Sequence, residues 1–171
     1  INNNAHKHKL LGTAAGVANA VVELSLRGNG TSSQRCVTGL IAIRCLCRYG
    51  SSSKTACIDN MKALIHAGAA EAVVITLKTH KQSVMVAEEG LKAVTYLIDR
   101  PDGAAMKRLL SAGVCVVLGS ILKIHAKSSS VIEAGCRAMV NLTNNSECRS
   151  QLIEIGCCQT IVGVIRHYHG E

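Results

Sequence analysis

The stretch Ser129 to Thr143 reads SSVIEAGCRAMVNLT, and its pattern occurs three times in the chain. Aligned on its glycine it runs Gly135, Cys136, Arg137, Ala138, Met139, Val140, Asn141, Leu142. The earlier copies run Gly90, Leu91, Lys92, Ala93, Val94, Thr95, Tyr96, Leu97 and Gly39, Leu40, Ile41, Ala42, Ile43, Arg44, Cys45, Leu46. Each has Gly and Ala three apart, a larger apolar residue next, and Leu four beyond the Ala. On a helix that spacing puts one narrow patch and then one bulky patch on a single face. The copies lie 51 and 45 residues apart, the range of helical solenoid repeats.

A second landmark runs in phase with the first. Small-residue junctions occur at Ala15-Gly16-Val17, Ala67-Gly68-Ala69, Ala112-Gly113-Val114 and Ile155-Gly156-Cys157, with glycines 52, 45 and 43 residues apart. Each of the first three precedes its pattern glycine by 22 or 23 residues. A glycine so placed ends one helix and turns tightly into the next. Leu64-Ile65, Leu109-Leu110 and Leu152-Ile153 come before it, and apolar runs such as Val73-Val74-Ile75 and Val116-Val117-Leu118 follow. The unit therefore reads as a short first helix, a second of about three turns and a longer third helix carrying the opening pattern.

One domain over residues 1–171 is expected, with units at about 2–50, 54–100 and 102–145 and an incomplete one at 147–171. The third helix of the second unit is expected from about Lys81 to Ile98, ended by Asp99-Arg100-Pro101-Asp102-Gly103. The segment YGSSSK, Tyr49 to Lys54, reads as the loop that enlarges the first interval. Gly28-Asn29-Gly30 reads as a turn before the first third helix. The chain starts at Ile1 and stops after two helices of its fourth unit, with no polar end cap. A piece of a longer array, or self-association through uncapped ends, is the expectation.

Composition agrees with helices packed closely by small aliphatics. Hydrophobic residues make up 48% and aromatics 2%, with no Trp or Phe and a single proline. Disorder and sheet are both disfavoured. No apolar run reaches the length of a membrane span, and no signal core follows a basic start. The net charge of +8 points to acidic partners: acidic peptide, phosphate, nucleic acid or anionic lipid. Nine cysteines, an odd number, lie mostly in apolar runs. They read as small buried hydrophobes of a reduced, intracellular protein, cytoplasmic or nuclear. No CxxC occurs, so no metal site and no cofactor are expected.

With its three-helix unit, its Ala-Gly type junction and its G-x-x-A-x-x-x-L third helix, the chain resembles the armadillo repeat family. The resemblance covers about three and two-thirds repeats and implies an all-α fold, a right-handed α-solenoid or superhelix. HEAT repeats, the nearest rival, use helix pairs and place proline in the first helix. In armadillo proteins third helices line a concave groove that binds extended peptides, and an Asn before the third-helix Leu grips the peptide backbone. Here only Asn141 matches, with Tyr96 and Cys45 at the equivalent positions. The tryptophan of nuclear-signal receptors is replaced by Ile41, Lys92 and Arg137, and the two cations would repel basic cargo.

The candidate binding row is therefore Lys92, Tyr96, Arg137 and Asn141, suited to a carboxylate-rich or phosphorylated peptide. Glu88, Glu89 and Glu133 read as surface charges. The His6 and His8 tip and the Arg166, His167 and His169 cluster read as exposed ends. No carboxylate pair or Ser/His/Asp set has catalytic spacing, so an enzyme is not expected. A non-catalytic protein-interaction scaffold is the first expectation. The alternatives are a basic surface for nucleic acid or anionic lipid, and a purely architectural, self-assembling segment. Scarce aromatics leave no stacking platform for single strands.

Overall fold

A computed structural model describes residues 14–28, 32–49, 54–98 and 103–169, apart from the side chains at 48, 49, 54–56, 165 and 167–169. Among the described residues it is all-helical, with ten helices and no strand. These are α1 (Ala14–Leu26), α2 (Ser33–Tyr49), α3 (Lys54–His66), α4 (Ala69–Thr79) and α5 (Val84–Ile98). They continue as α6 (Ala104–Ala112), α7 (Val114–Ile124), α8 (Ser129–Leu142), α9 (Ser146–Glu154) and α10 (Cys157–His169). Helices of like phase are neighbours: α2 packs on α5 and α5 on α8, while α4 packs on α1 and α7, and α7 on α10. No single helix among the described residues is long and apolar enough to cross a membrane.

Three junction glycines perform the same turn. Gly68, Gly113 and Gly156 have φ of 80°, 84° and 77°, the left-handed region that an L side chain enters at a cost of roughly 1–2 kcal/mol. Each ends one helix and opens the next with the same pair of bonds. The Gly68 N–H donates to the Ile65 carbonyl at 3.1 Å, and its own carbonyl accepts from Ala72 N–H at 3.1 Å. Gly113 repeats this with Leu110 and Val117, and Gly156 with Ile153 and Thr160. Gly16 does not. It lies inside α1 without a positive φ, because that helix has begun by Ala14.

The pattern glycines of the third helices sit at helix crossings. A Cβ on Gly90 would collide with Leu77, and one on Gly135 would lie 2.5 Å from Leu122 Cδ2. Leu77 and Leu122 are 45 residues apart, as the glycines are, and both are fully buried. The turns that follow also match. His80 and His125 cap α4 and α7 with φ, ψ of −108°, 31° and −106°, 30°. Buried His125 donates from Nε2 to the Lys81 carbonyl at 2.8 Å, tying one of these turns to the other.

Two boundaries differ from the sequence reading. α5 starts at Val84 rather than Lys81, because Ser83 caps it: the Ser83 carbonyl accepts from Ala87 N–H at 2.9 Å. The six extra residues of the first interval enter mainly as helix. α2 has 17 residues against 15 in α5 and 14 in α8, and α3 has 13 against 9 in α6 and 9 in α9. The first helix of that unit is accordingly not a short one. Residues 50–53 and 99–102, Asn29 and Gly30 of the expected turn, and the His6 and His8 tip lie outside the described residues.

Candidate functional site

The side-by-side packing of α2, α5 and α8 leaves an open groove of about 350 Å3. Arg44 comes to it from α2, Lys92, Thr95 and Tyr96 from α5, and Ser130 and Arg137 from α8. Helical spacing explains the grouping. Glu88, Lys92 and Tyr96 follow one another at four-residue steps, as do Glu133, Arg137 and Asn141, so each set forms a stripe along its helix. Three of the four residues expected from the sequence thus share one groove. Asn141 is not in its lining.

A buried carboxylate organises the α2–α5 side. Glu89 is 9% exposed; its Oε1 accepts from Lys92 Nζ at 2.9 Å and its Oε2 from Arg44 Nε at 3.2 Å. Lys92 also donates to Glu88 Oε1 at 2.6 Å. The Lys92 bond holds the Glu88 carboxyl below the usual carboxylate range; burial opposes this, and a hydrogen bond from Ser130 adds to it. For Lys92 burial pushes the ammonium down, but its bonds to Glu88 and Glu89 outweigh burial and leave it above its ordinary value.

The α8 side is looser. Arg137 donates from Nη2 and Nε to the same Glu133 oxygen, at 2.8 and 3.2 Å, with side chains 70% and 67% exposed. Such a pair contributes about 0–1 kcal/mol and gives way readily to another anion. Tyr96 is half-buried and packs against the core while its edge lines the groove. Asn141 donates from Nδ2 to the Thr95 carbonyl at 3.3 Å, so its amide N–H is engaged on the α5 backbone.

Sequence reasoning missed Arg44 and undervalued Glu89. Arg44 stands one residue before Cys45, so it is turned about 100° from the column of Cys45, Tyr96 and Asn141. The sequence gives no signal that sets Arg44 apart from Arg35 and Arg48 on the same helix. Glu89 reads as a surface charge because its second partner, Arg44 of α2, is 45 residues away in sequence. Three cations meet three carboxylates here, so the +8 of the chain is not concentrated in the groove.

The cysteines behave as packing residues. Cys36, Cys47, Cys57, Cys115, Cys148 and Cys157 are buried, whereas Cys45 and Cys158 are exposed. Burial, with the neighbouring Cys57 thiol adding to it, pushes Cys47 up to about 12. Burial, then the Cys148 thiol, pushes Cys115 up to about 12 as well. A thiol that far above neutrality is a poor nucleophile and a poor metal ligand. Among the described residues no three His, Cys, Asp or Glu side chains gather as a metal site would require. Comparison of the chain with known protein families, curated proteins and solved structures gives no match.

Proposed function

We propose that the chain is an armadillo-type α-solenoid segment acting as a non-catalytic protein-interaction scaffold. On this reading an extended segment of a partner, rich in carboxylates, lies in the groove of α2, α5 and α8. The observation that carries it is the convergence of Arg44, Lys92, Tyr96 and Arg137 from three successive long helices onto one open groove. The repeat reading is supported by the matching glycine–leucine crossings and the three like junction turns. Arg137 is the readiest donor, since its exposed pair with Glu133 costs little to exchange. Asn141 contributes indirectly, holding α8 to the backbone of α5 at Thr95.

Fluorescence anisotropy tests this with three labelled ligands: an acidic peptide, a basic peptide and a short DNA duplex, each at low and physiological salt. Saturable binding of the acidic peptide that survives physiological salt and weakens in Arg137→Glu is expected. Preference for the duplex, with affinity collapsing as salt rises, would show a general anion surface and end the groove reading.

A further inference from the structure

The three cations of the groove are not equally occupied. Lys92 holds two carboxylates, and Arg137 points two nitrogens at Glu133. Arg44 uses Nε alone, on Glu89, and among the described residues its two Nη nitrogens have no partner. They are not sealed off either: the side chain is 23% exposed and forms part of the groove wall. Glu89 is itself fixed, buried and held from its other oxygen by Lys92. The guanidinium is therefore anchored by one edge before any ligand arrives, which removes much of the ordering cost of binding.

A guanidinium fork matches a carboxylate with two parallel N–H···O bonds, which an ammonium cannot do. We infer that Arg44 is the residue of the groove that grips a carboxylate of the bound segment, through the two Nη nitrogens left open by its pair with Glu89. Glu89 is the positioning residue of this grip. The inference rests on the peptide-groove reading above and names the contact within it. The occupant is a peptide with spaced Asp or Glu rather than a nucleic acid. Glu88 and Glu133 stand in the same wall as the cations and would repel a continuous phosphate backbone, whereas single carboxylates can fall between them.

The test uses a labelled Gly/Ser peptide carrying spaced aspartates, the same peptide with asparagines instead, and a short duplex. Arg44→Lys keeps a charge for Glu89 but has no fork. It is expected to leave the melting temperature close to that of the unsubstituted chain and to weaken aspartate-peptide binding roughly tenfold. Glu89→Gln leaves the fork but loosens its anchor, and a smaller loss of affinity is expected even if stability also falls. Arg44→Lys binding within about twofold of the unsubstituted chain, with Arg137→Glu still strongly impaired, would remove Arg44 and keep the groove. Failure of the unsubstituted chain to bind the aspartate peptide, or binding of the duplex alone, would remove the groove reading and this inference with it.

Discussion

The crossing of α4 on α5 and that of α7 on α8 are made the same way: a fully buried leucine, Leu77 or Leu122, lies against a glycine on the facing helix. The crossing of α1 on α2 is made differently. A Cβ on Gly39 would lie 2.5 Å from Ser25 Cβ and 3.2 Å from Leu26 Cδ2. The cause is in α1, whose residues Val21–Leu26 are π-helical. There Arg27 N–H donates to the Val22 carbonyl five residues back, at 3.0 Å. The wider turn rotates the helix end, and Ser25 stands with Leu26 where Leu77 or Leu122 supplies the three nearest atoms at the later crossings. What persists is the absence of a side chain on the third helix, because it sets how closely two helices approach. The partner across the crossing can change.

Alanine at these glycines should break the comparison most strongly. Gly39→Ala is expected to cost the most, about 2–3 kcal/mol, because Ser25 Cβ is one bond from backbone and cannot swing aside. Gly90→Ala and Gly135→Ala should cost roughly 1–2 kcal/mol, since the clash is with leucine methyls that can give partly. Urea titration of the three variants reads the order. A Gly39→Ala loss smaller than that of Gly90→Ala would mean that the π turn has not brought Ser25 into the contact. Gly90→Ala combined with Leu77→Ala should cost clearly less than the sum of the two, as expected for residues in direct contact.

Two further glycines separate the junction from the helix interior. Gly113 has φ of 84°, and among the described residues only Lys78 Nζ, at 3.6 Å, lies near the Cβ that alanine would add. Gly113→Ala should therefore cost about 1–2 kcal/mol from backbone strain alone. Gly16 is helical and exposed, and among the described residues a Cβ there would meet nothing within 4 Å. Gly16→Ala should stabilise the chain by about 0.5–1 kcal/mol, the helix preference of Ala over Gly. Thermal melts of both variants decide the point. A loss at Gly16 like that at Gly113 would restore Gly16 as a junction and move the start of α1.

The helix junctions and crossings were legible because two glycine landmarks keep phase and each has a strict physical duty: positive φ at Gly68, Gly113 and Gly156, or close approach at Gly90 and Gly135. Where neither duty applies, as at Gly16, the phase alone misled. The polar YGSSSK reads as a loop that holds the whole insertion, whereas longer helices on either side, α2 and α3, absorb most of it. Groove-lining positions were legible only in the columns that the glycine pattern aligns. Lys92, Tyr96 and Arg137 lie in those columns; Arg44 does not. Its role depends on a diagonal contact with Glu89 across two helices, and periodicity along one helix carries no information about that contact. The engagement of the Asn141 amide by Thr95 was hidden for the same reason.

The smallest expected loss contrasts two faces of α5 itself. Its Gly90 face packs on apolar atoms and has nothing to titrate, whereas its Lys92 face holds a lysine between two carboxylates. Glu88 is held below its ordinary range, so its contribution is present above the unfolded carboxylate value, about 4.3, and is lost as pH falls through the lower folded value. Lys92 is held above its ordinary value, so its contribution is present below about 10.4 and is lost as pH rises through the higher folded value. Between those limits Lys92→Met should lower the melting temperature slightly, by about 1 kcal/mol in stability, since the Glu88 pair remains partly in solvent and buried Glu89 keeps its bond from Arg44. In strong acid and in strong base the difference should vanish. Gly90→Ala should show no such window, its loss being the same across pH. A Lys92→Met difference that persists in strong acid would mean that the lysine stem contributes by packing, and that the ion pairs add nothing to the fold.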